Sequence, residues 1–179
     1  MRGTAPGQRR NVLEGRCAEI LKEPSLTGDS DDLCLDQIDE AARERERRIR
    51  NLISEIIIED QYEGILDGIE EFSHVLVLYW AHMADKETRN LVKVHPMGRK
   101  DFPLLGIFAT CSPVRPNPIL VTAVQLVERK GNTLMVKGFE AIDGSPVLDI
   151  NPYSPYYYFV RNTRIADWMK QIEREFAKK

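Results

Sequence analysis

The chain has 179 residues, 42% of them hydrophobic and 30% charged, with a formal net charge of -3. That length and apolar content suit one domain with a sizeable core and exclude a disordered chain. The slightly acidic balance supplies no global field for nucleic acid, so any RNA contact requires a local basic patch.

Residues 1–10 are polar and rich in Arg and Gly, and are expected to form a loose tail. With no apolar core, the N-terminal stretch does not read as a signal peptide. The body of the domain is expected over 11–162. Val12 to Leu21 reads as a weakly patterned first strand, and Pro24 to Asp32 as a loop. A helix is predicted over Leu35 to Leu52. Leu35, Ile38, Ala42, Ile49 and Leu52 give it a narrow apolar stripe, and Glu44–Arg48 and Glu46–Arg50 fall at the favourable i,i+4 spacing. Arg43, Arg45, Arg47, Arg48 and Arg50 leave two readings open: a solvated helix laced with ion pairs, or a basic arm that steers RNA.

Beyond the helix the period changes. Ile53 to Asp60 is β-branched and short. Val75 to Trp80 is continuously apolar, as a strand buried on both faces would be. Leu104 to Thr110 is a further strand candidate. Ile119 to Glu128 and Thr133 to Phe139 read as a hairpin around Gly131-Asn132. The succession of short strands predicts a mainly β domain, a barrel or a sandwich. The chain closes on an amphipathic helix over 163–179. Thr163 is its candidate cap, and Ile165, Trp168, Met169, Ile172 and Phe176 form a stripe fit for docking.

Cys17, Cys34 and Cys111 are an odd set without paired spacing, which argues against a disulfide framework and for a reducing cytoplasm. The longest apolar run, Val75 to Ala81, is too short to span a bilayer. His74, His82 and His95 lack metal-ligand spacing, and no metal site is expected. Nucleotide-binding glycine motifs and the nucleophile elbow are absent.

Two segments stand out. ATCSPVRPNPI, from Ala109 to Ile119, carries Pro113, Pro116 and Pro118, which lock φ and remove donors. Such a segment is either a stiff structural turn or a preorganised loop presenting Ser112, Arg115 and Asn117. Asp143-Gly144-Ser145-Pro146 is a turn in which Asp accepts backbone N–H groups and Gly supplies positive φ. Tyr153, Tyr156, Tyr157 and Tyr158 follow among prolines. They could stack bases, but are expected mainly to cover a core edge.

FSHVLVLYWAH, LLGIFATCSPVRPNPI and DGSPVLDINPY, in that order, resemble the signatures of the TsaA-like family, whose best-known branch is the tRNA methyltransferases of the TrmO type. The resemblance covers about Gly64 to Tyr153. It implies a compact β-barrel, a homodimer, S-adenosyl-L-methionine as cofactor, and transfer to the N6 nitrogen of N6-threonylcarbamoyladenosine in tRNA. Carried over by position, His82, Met83, Cys111, Val121, Asp143, Gly144 and Ser145 would bind the cofactor. Arg115 and Asn117 would contact substrate, and no catalytic base is assigned. The family's ATRSP Arg is Cys111 here, and the Gly after RPNPI is Leu120. An early Pro-Arg-Gln element has no clear counterpart. The alternative is a dimeric ligand-binding protein without efficient transfer.

Overall fold

The computed structural model describes residues 10–12 and 35–177. In chain order the elements are β1 (Arg10–Val12), α1 (Leu35–Asn51), β2 (Ile53–Ile57), β3 (His74–Trp80), β4 (Lys93–Val94), β5 (Leu105–Gly106), β6 (Ile119–Lys130), β7 (Thr133–Lys137), β8 (Val147–Pro152), α2 (Pro155–Tyr158) and α3 (Asp167–Ala177). Beyond Val12, the expected strand to Leu21, the loop from Pro24 to Asp32, Cys17 and Cys34 lie outside the described residues.

The hairpin of β6 and β7 forms where Gly131-Asn132 predicts it: Lys130 faces Thr133, and Gly131 takes φ +59° in the two-residue turn. Around it the strands pair antiparallel in the order β1-β2-β7-β6-β3-β8, with β4 and β5 as a separate ribbon. The order is open. Among the described residues no ladder joins β1 to β8, so the expected barrel is seen only as a large antiparallel sheet.

The core lies on one face of this sheet. Ile56, Val75, Val77, Val124, Leu134, Val136 and Phe139 are fully buried there. Phe139 meets Tyr79 edge-on with centroids 5.0 Å apart. The chain reaches β2 directly from α1, and Gly138 beyond β7 donates its N–H to Leu52 O at 3.0 Å. Gly138 has φ +83°, a backbone conformation that favours glycine.

Three expectations change. β3 is not buried on both faces: Val75, Val77 and Tyr79 are buried, whereas Leu76, Leu78 and Trp80 are only half-buried. The segment from Leu104 to Thr110 makes two strand residues and then turns at Ile107–Ala109, because Gly106 ends a ladder that has only two rungs. The last helix starts at Asp167, so Thr163 does not cap it, and Ile165 stands outside it.

The stripe of α3 is also partly occupied by the chain itself. Trp168 packs edge-on against Phe102 with centroids 6.4 Å apart, and Glu175 pairs with Arg99 at 2.5 Å. Arg99 also pairs with Asp101 at 2.6 Å and lies 4.2 Å from the Phe102 ring centre. Hydrogen bonding to Arg99 holds the Glu175 carboxyl below its ordinary value, and that of Asp101 likewise. The helix is thus latched onto the loop before β5.

In α1 the predicted pairs form: Arg48 Nε donates to Glu44 at 3.1 Å and Arg50 Nε to Glu46 at 2.9 Å. Arg47 and Arg43 share Glu40. Of the five arginines only Arg45 has no partner among the described residues. This favours the ion-paired helix over the basic arm. Leu35, Ile38 and Ala42 lie outside the described side chains; Ile49 and Leu52 are half-buried.

Candidate functional site

Three separate segments meet where β3 ends. Trp80 N donates to Pro146 O at 2.9 Å, and Ala81 N donates to Pro118 O at 2.8 Å. The proline-rich loop and the Asp-Gly-Ser-Pro turn therefore flank one strand terminus. His82 follows at once, and its Nδ1 lies 3.2 Å from Ser145 Oγ. Ser145 is buried, so its hydroxyl fixes the imidazole ring from inside the fold. No partner of His82 Nε2 is found among the described residues, so that nitrogen is the one open to a ligand.

The turn takes the positive φ at Gly144 that its sequence predicts. Gly144 takes φ +74°, and Ser145 N donates to Ile142 O at 3.0 Å. Asp143 and Gly144 are exposed on it.

The proline-rich loop is stiffened by short-range bonds. Thr110 Oγ1 donates to Ile107 O at 2.8 Å and accepts from Ser112 N at 3.3 Å; Ser112 Oγ accepts from Val114 N at 3.3 Å. Cys111 is exposed as a free thiol between these bonds. The Arg115 guanidinium carbon lies 5.5 Å from the centre of the exposed Phe108 ring. Asn117 is exposed, with its O accepting from Ile119 N at 2.7 Å.

Strand register supplies the wall. Leu78 pairs with Val121 of β6 and with Asp149 of β8, so these three side chains share the face opposite the core. Trp80 and Ile119 pair on the same face, one step nearer His82. Val121 is 57% exposed, unusually open for a Val in a central strand.

The structure thus brings His82, Ser145 and its turn together, and puts Val121 on the face that runs away from them. Met83 is exposed beside His82. Cys111, Arg115 and Asn117 lie on the flanking loop.

Sequence reasoning missed the half-open row Leu78–Trp80, whose signal was the run read as doubly buried. It also missed Arg89, which lies 5.6 Å from the Trp80 ring centre and donates to Ala84 O at 3.2 Å. Arg89 Nε is buried without a partner. No motif marks it.

The chain matches the model of the tRNA-methyltransferase O N-terminal domain over residues 40–158. It is 47% identical over 100 residues to a protein of Methanothermobacter thermautotrophicus named a probable S-adenosyl-L-methionine-binding protein, covering 56% of this chain and 69% of that one. To an S-adenosyl-L-methionine-binding protein of Archaeoglobus fulgidus it is 43% identical over 111 residues, covering 62% and 76%. The crystal structure of TrmO from Pseudomonas aeruginosa superposes with a TM-score of 0.51 at 30% identity, over 65% of this chain and 49% of that one. The chain therefore spans about half of the TrmO chain. Among the described residues no helix is long and apolar enough to cross a membrane.

Proposed function

The chain belongs to the family of the tRNA-methyltransferase O N-terminal domain, and on that premise we propose that it is an S-adenosylmethionine-dependent methyltransferase acting on a modified adenosine of tRNA, N6-threonylcarbamoyladenosine. The observation that carries this reading is the convergence of the three family motifs on the end of β3, with His82 bonded to Ser145.

The residues present fit the cofactor. Asp143 offers a carboxylate acceptor and the Gly144 turn a backbone cradle. Leu78 and Val121 offer an apolar wall for a flat ring. Arg89, with its guanidinium carbon 5.6 Å from the Trp80 ring centre, brings a cation to the strand end that a cofactor carboxylate would suit. That cation matters because Cys111 stands where the family carries Arg. When bound, S-adenosylmethionine supplies an already activated methyl group, so the protein's task is to align acceptor and donor and to exclude water. His82, fixed through Nδ1, presents Nε2 at the strand terminus. Arg115, beside the Phe108 ring, and Asn117 stand ready on the loop for a phosphate or base edge.

Titration calorimetry with S-adenosylmethionine tests the proposal, and Asp143→Ala is expected to weaken binding by about 1–3 kcal/mol. No heat and no thermal shift at millimolar cofactor would overturn it. The same family reading carries a homodimer. Its support is the half-open aliphatic face of β3 and β6, with Val121 57% exposed, more than the stripe of α3, which is partly occupied by the chain itself. A dimer mass by light scattering at micromolar concentration is expected.

A second reading is favoured by the thiol at Cys111 and by relatives named as binding proteins. It is a cofactor-binding dimer without efficient transfer. Cofactor binding without methylation of tRNA carrying the modified adenosine would select it.

A further inference from the structure

Directly after β8 the chain carries an aromatic surface that neither the core nor the candidate site uses. Between Asp149 and Asp167 the chain carries four tyrosines, one phenylalanine and two arginines, with no further carboxylate and no lysine. The rings do not cover a core edge, as the neighbouring prolines suggest. Tyr156 is 87% exposed and Tyr157 78%. So much aromatic surface open to water is costly unless something covers it.

Local bonds and ring contacts hold the surface in place. Tyr153 N donates to His74 O at 3.0 Å, which ties the segment to the start of β3. Ser154 Oγ caps α2 by accepting from Tyr156 N at 3.3 Å, and Pro155 presets its first turn. Tyr157 and Tyr158 N–H both donate to Ser154 O at 3.1 Å. Tyr153 and Tyr158 stack nearly parallel, 8° apart, with centroids at 5.7 Å. Tyr156 and Tyr157 stand at 87° to each other, so their open faces look in different directions. Arg161 and Arg164 are exposed just beyond and have no partner among the described residues.

We infer that Tyr156 and Tyr157, backed by the Tyr153–Tyr158 stack and flanked by Arg161 and Arg164, form a platform on which unpaired bases of an RNA loop stack. The inference rests on the RNA substrate proposed above and adds where that RNA is held. Flat rings offered on a fixed support, beside two exposed arginines that are unpaired among the described residues, match unpaired nucleotides: every base has a face to stack, and every linkage has a phosphate. A second copy of the chain is the weaker occupant. The aliphatic face of Leu78, Ile119 and Val121 is the surface that a like partner would bury, whereas this one is hydroxyl-bearing and cationic.

The platform adjoins the start of β3, and His82 follows its end. Seven strand residues separate them, which is roughly 20 Å at the usual rise. The bases stacked here are therefore other than the one presented at the cofactor end.

The test is fluorescence anisotropy at low salt with a labelled RNA hairpin bearing an unpaired loop, and with the fully paired duplex of the same stem. The Tyr156→Ala/Tyr157→Ala variant is expected to bind the hairpin about tenfold or more weakly, the usual loss for a stacked base. Duplex binding should hardly change. Tyr156→Phe/Tyr157→Phe should bind the hairpin like the unsubstituted protein, because stacking needs the ring and not the hydroxyl. Calorimetry with S-adenosylmethionine should give the same affinity for all three proteins. Equal hairpin binding by the Ala variant overturns the inference, as does a monomer mass appearing with that variant. Failure of the unsubstituted protein to bind the hairpin also overturns it, while cofactor binding would stand. Absence of cofactor heat in the unsubstituted protein would strike the methyltransferase reading, with the anisotropy result standing by itself.

Discussion

The two faces of β3 are alike in composition and opposite in situation. Val75, Val77 and Tyr79 point inward and are buried, and Tyr79 meets Phe139. Leu76, Leu78 and Trp80 point outward beside Ile119 and Val121, and that side stays half open. Alternation of burial along seven residues comes from the pleat, not from the side chains, which are apolar on both faces. An apolar face left open is therefore the part of this strand that its fold does not account for. It leads to His82, Ser145 and the Asp143 turn, where the family motifs converge.

Changes on the inner face should damage folding, and by more than any change on the outer one. Phe139→Ala removes a fully buried ring and is expected to cost about 3–5 kcal/mol in urea melts. A cost below about 1 kcal/mol would mean that the inner face is not the core. The ionisation of Tyr79 comes next. Burial pushes its hydroxyl from 10.0 up to about 12. Because the folded value is raised, the stability it carries is fully present below pH 10 and is lost as the pH climbs toward 12. The loss should be on the order of 2–3 kcal/mol, since each tenfold weakening of the acid corresponds to about 1.4 kcal/mol. Tyr79→Phe should remove that alkaline slope from melts followed between these two pH values.

How far this contrast was legible in the sequence depends on the range of the interaction concerned. The β6–β7 hairpin announces itself through Gly131-Asn132, and the Glu44–Arg48 and Glu46–Arg50 pairs through i,i+4 spacing, because both are local. The site motifs were legible as segments, yet nothing local says that Pro118 and Pro146 bond to consecutive N–H groups at the end of β3. Likewise the stripe of α3 was visible while its cover was not. Phe102 and Arg99 sit in a loop far upstream, and such a contact leaves no periodic trace. The run from Val75 to Trp80 misled for a physical reason: an apolar pattern records what a face avoids, not whether this chain or another molecule covers it.

Ser54 is an exception within the inner face and allows a finer test. It lies in β2, facing inward with Ile56, and its hydroxyl is buried without a hydrogen-bond partner. Removing an unsatisfied buried hydroxyl should help, so Ser54→Ala is expected to stabilise by about 1 kcal/mol. A destabilised variant in the same urea melts would show that the hydroxyl has an acceptor after all.

The smallest effect on folding, and the one that separates the faces most sharply, is expected from a charge placed outside. Val121→Asp puts a carboxylate in a central strand, where an inward position would bring unfolding. Val121 points outward, already 57% exposed, so the new charge remains hydrated. Stability should change by no more than about 0.5 kcal/mol. Binding should respond quite differently. If Leu78 and Val121 form the wall against which the cofactor ring and a second copy pack, a charge in that wall must be desolvated when either arrives. Calorimetry should then show little or no S-adenosylmethionine binding, and light scattering a shift toward monomer. A variant that melts normally, binds normally and keeps its mass would make Val121 an ordinary surface residue, and would move the candidate site off this face to the His82–Ser145 turn alone. Should the variant unfold, the outer face would be core after all, and β3 would be the doubly buried strand that its sequence first suggests.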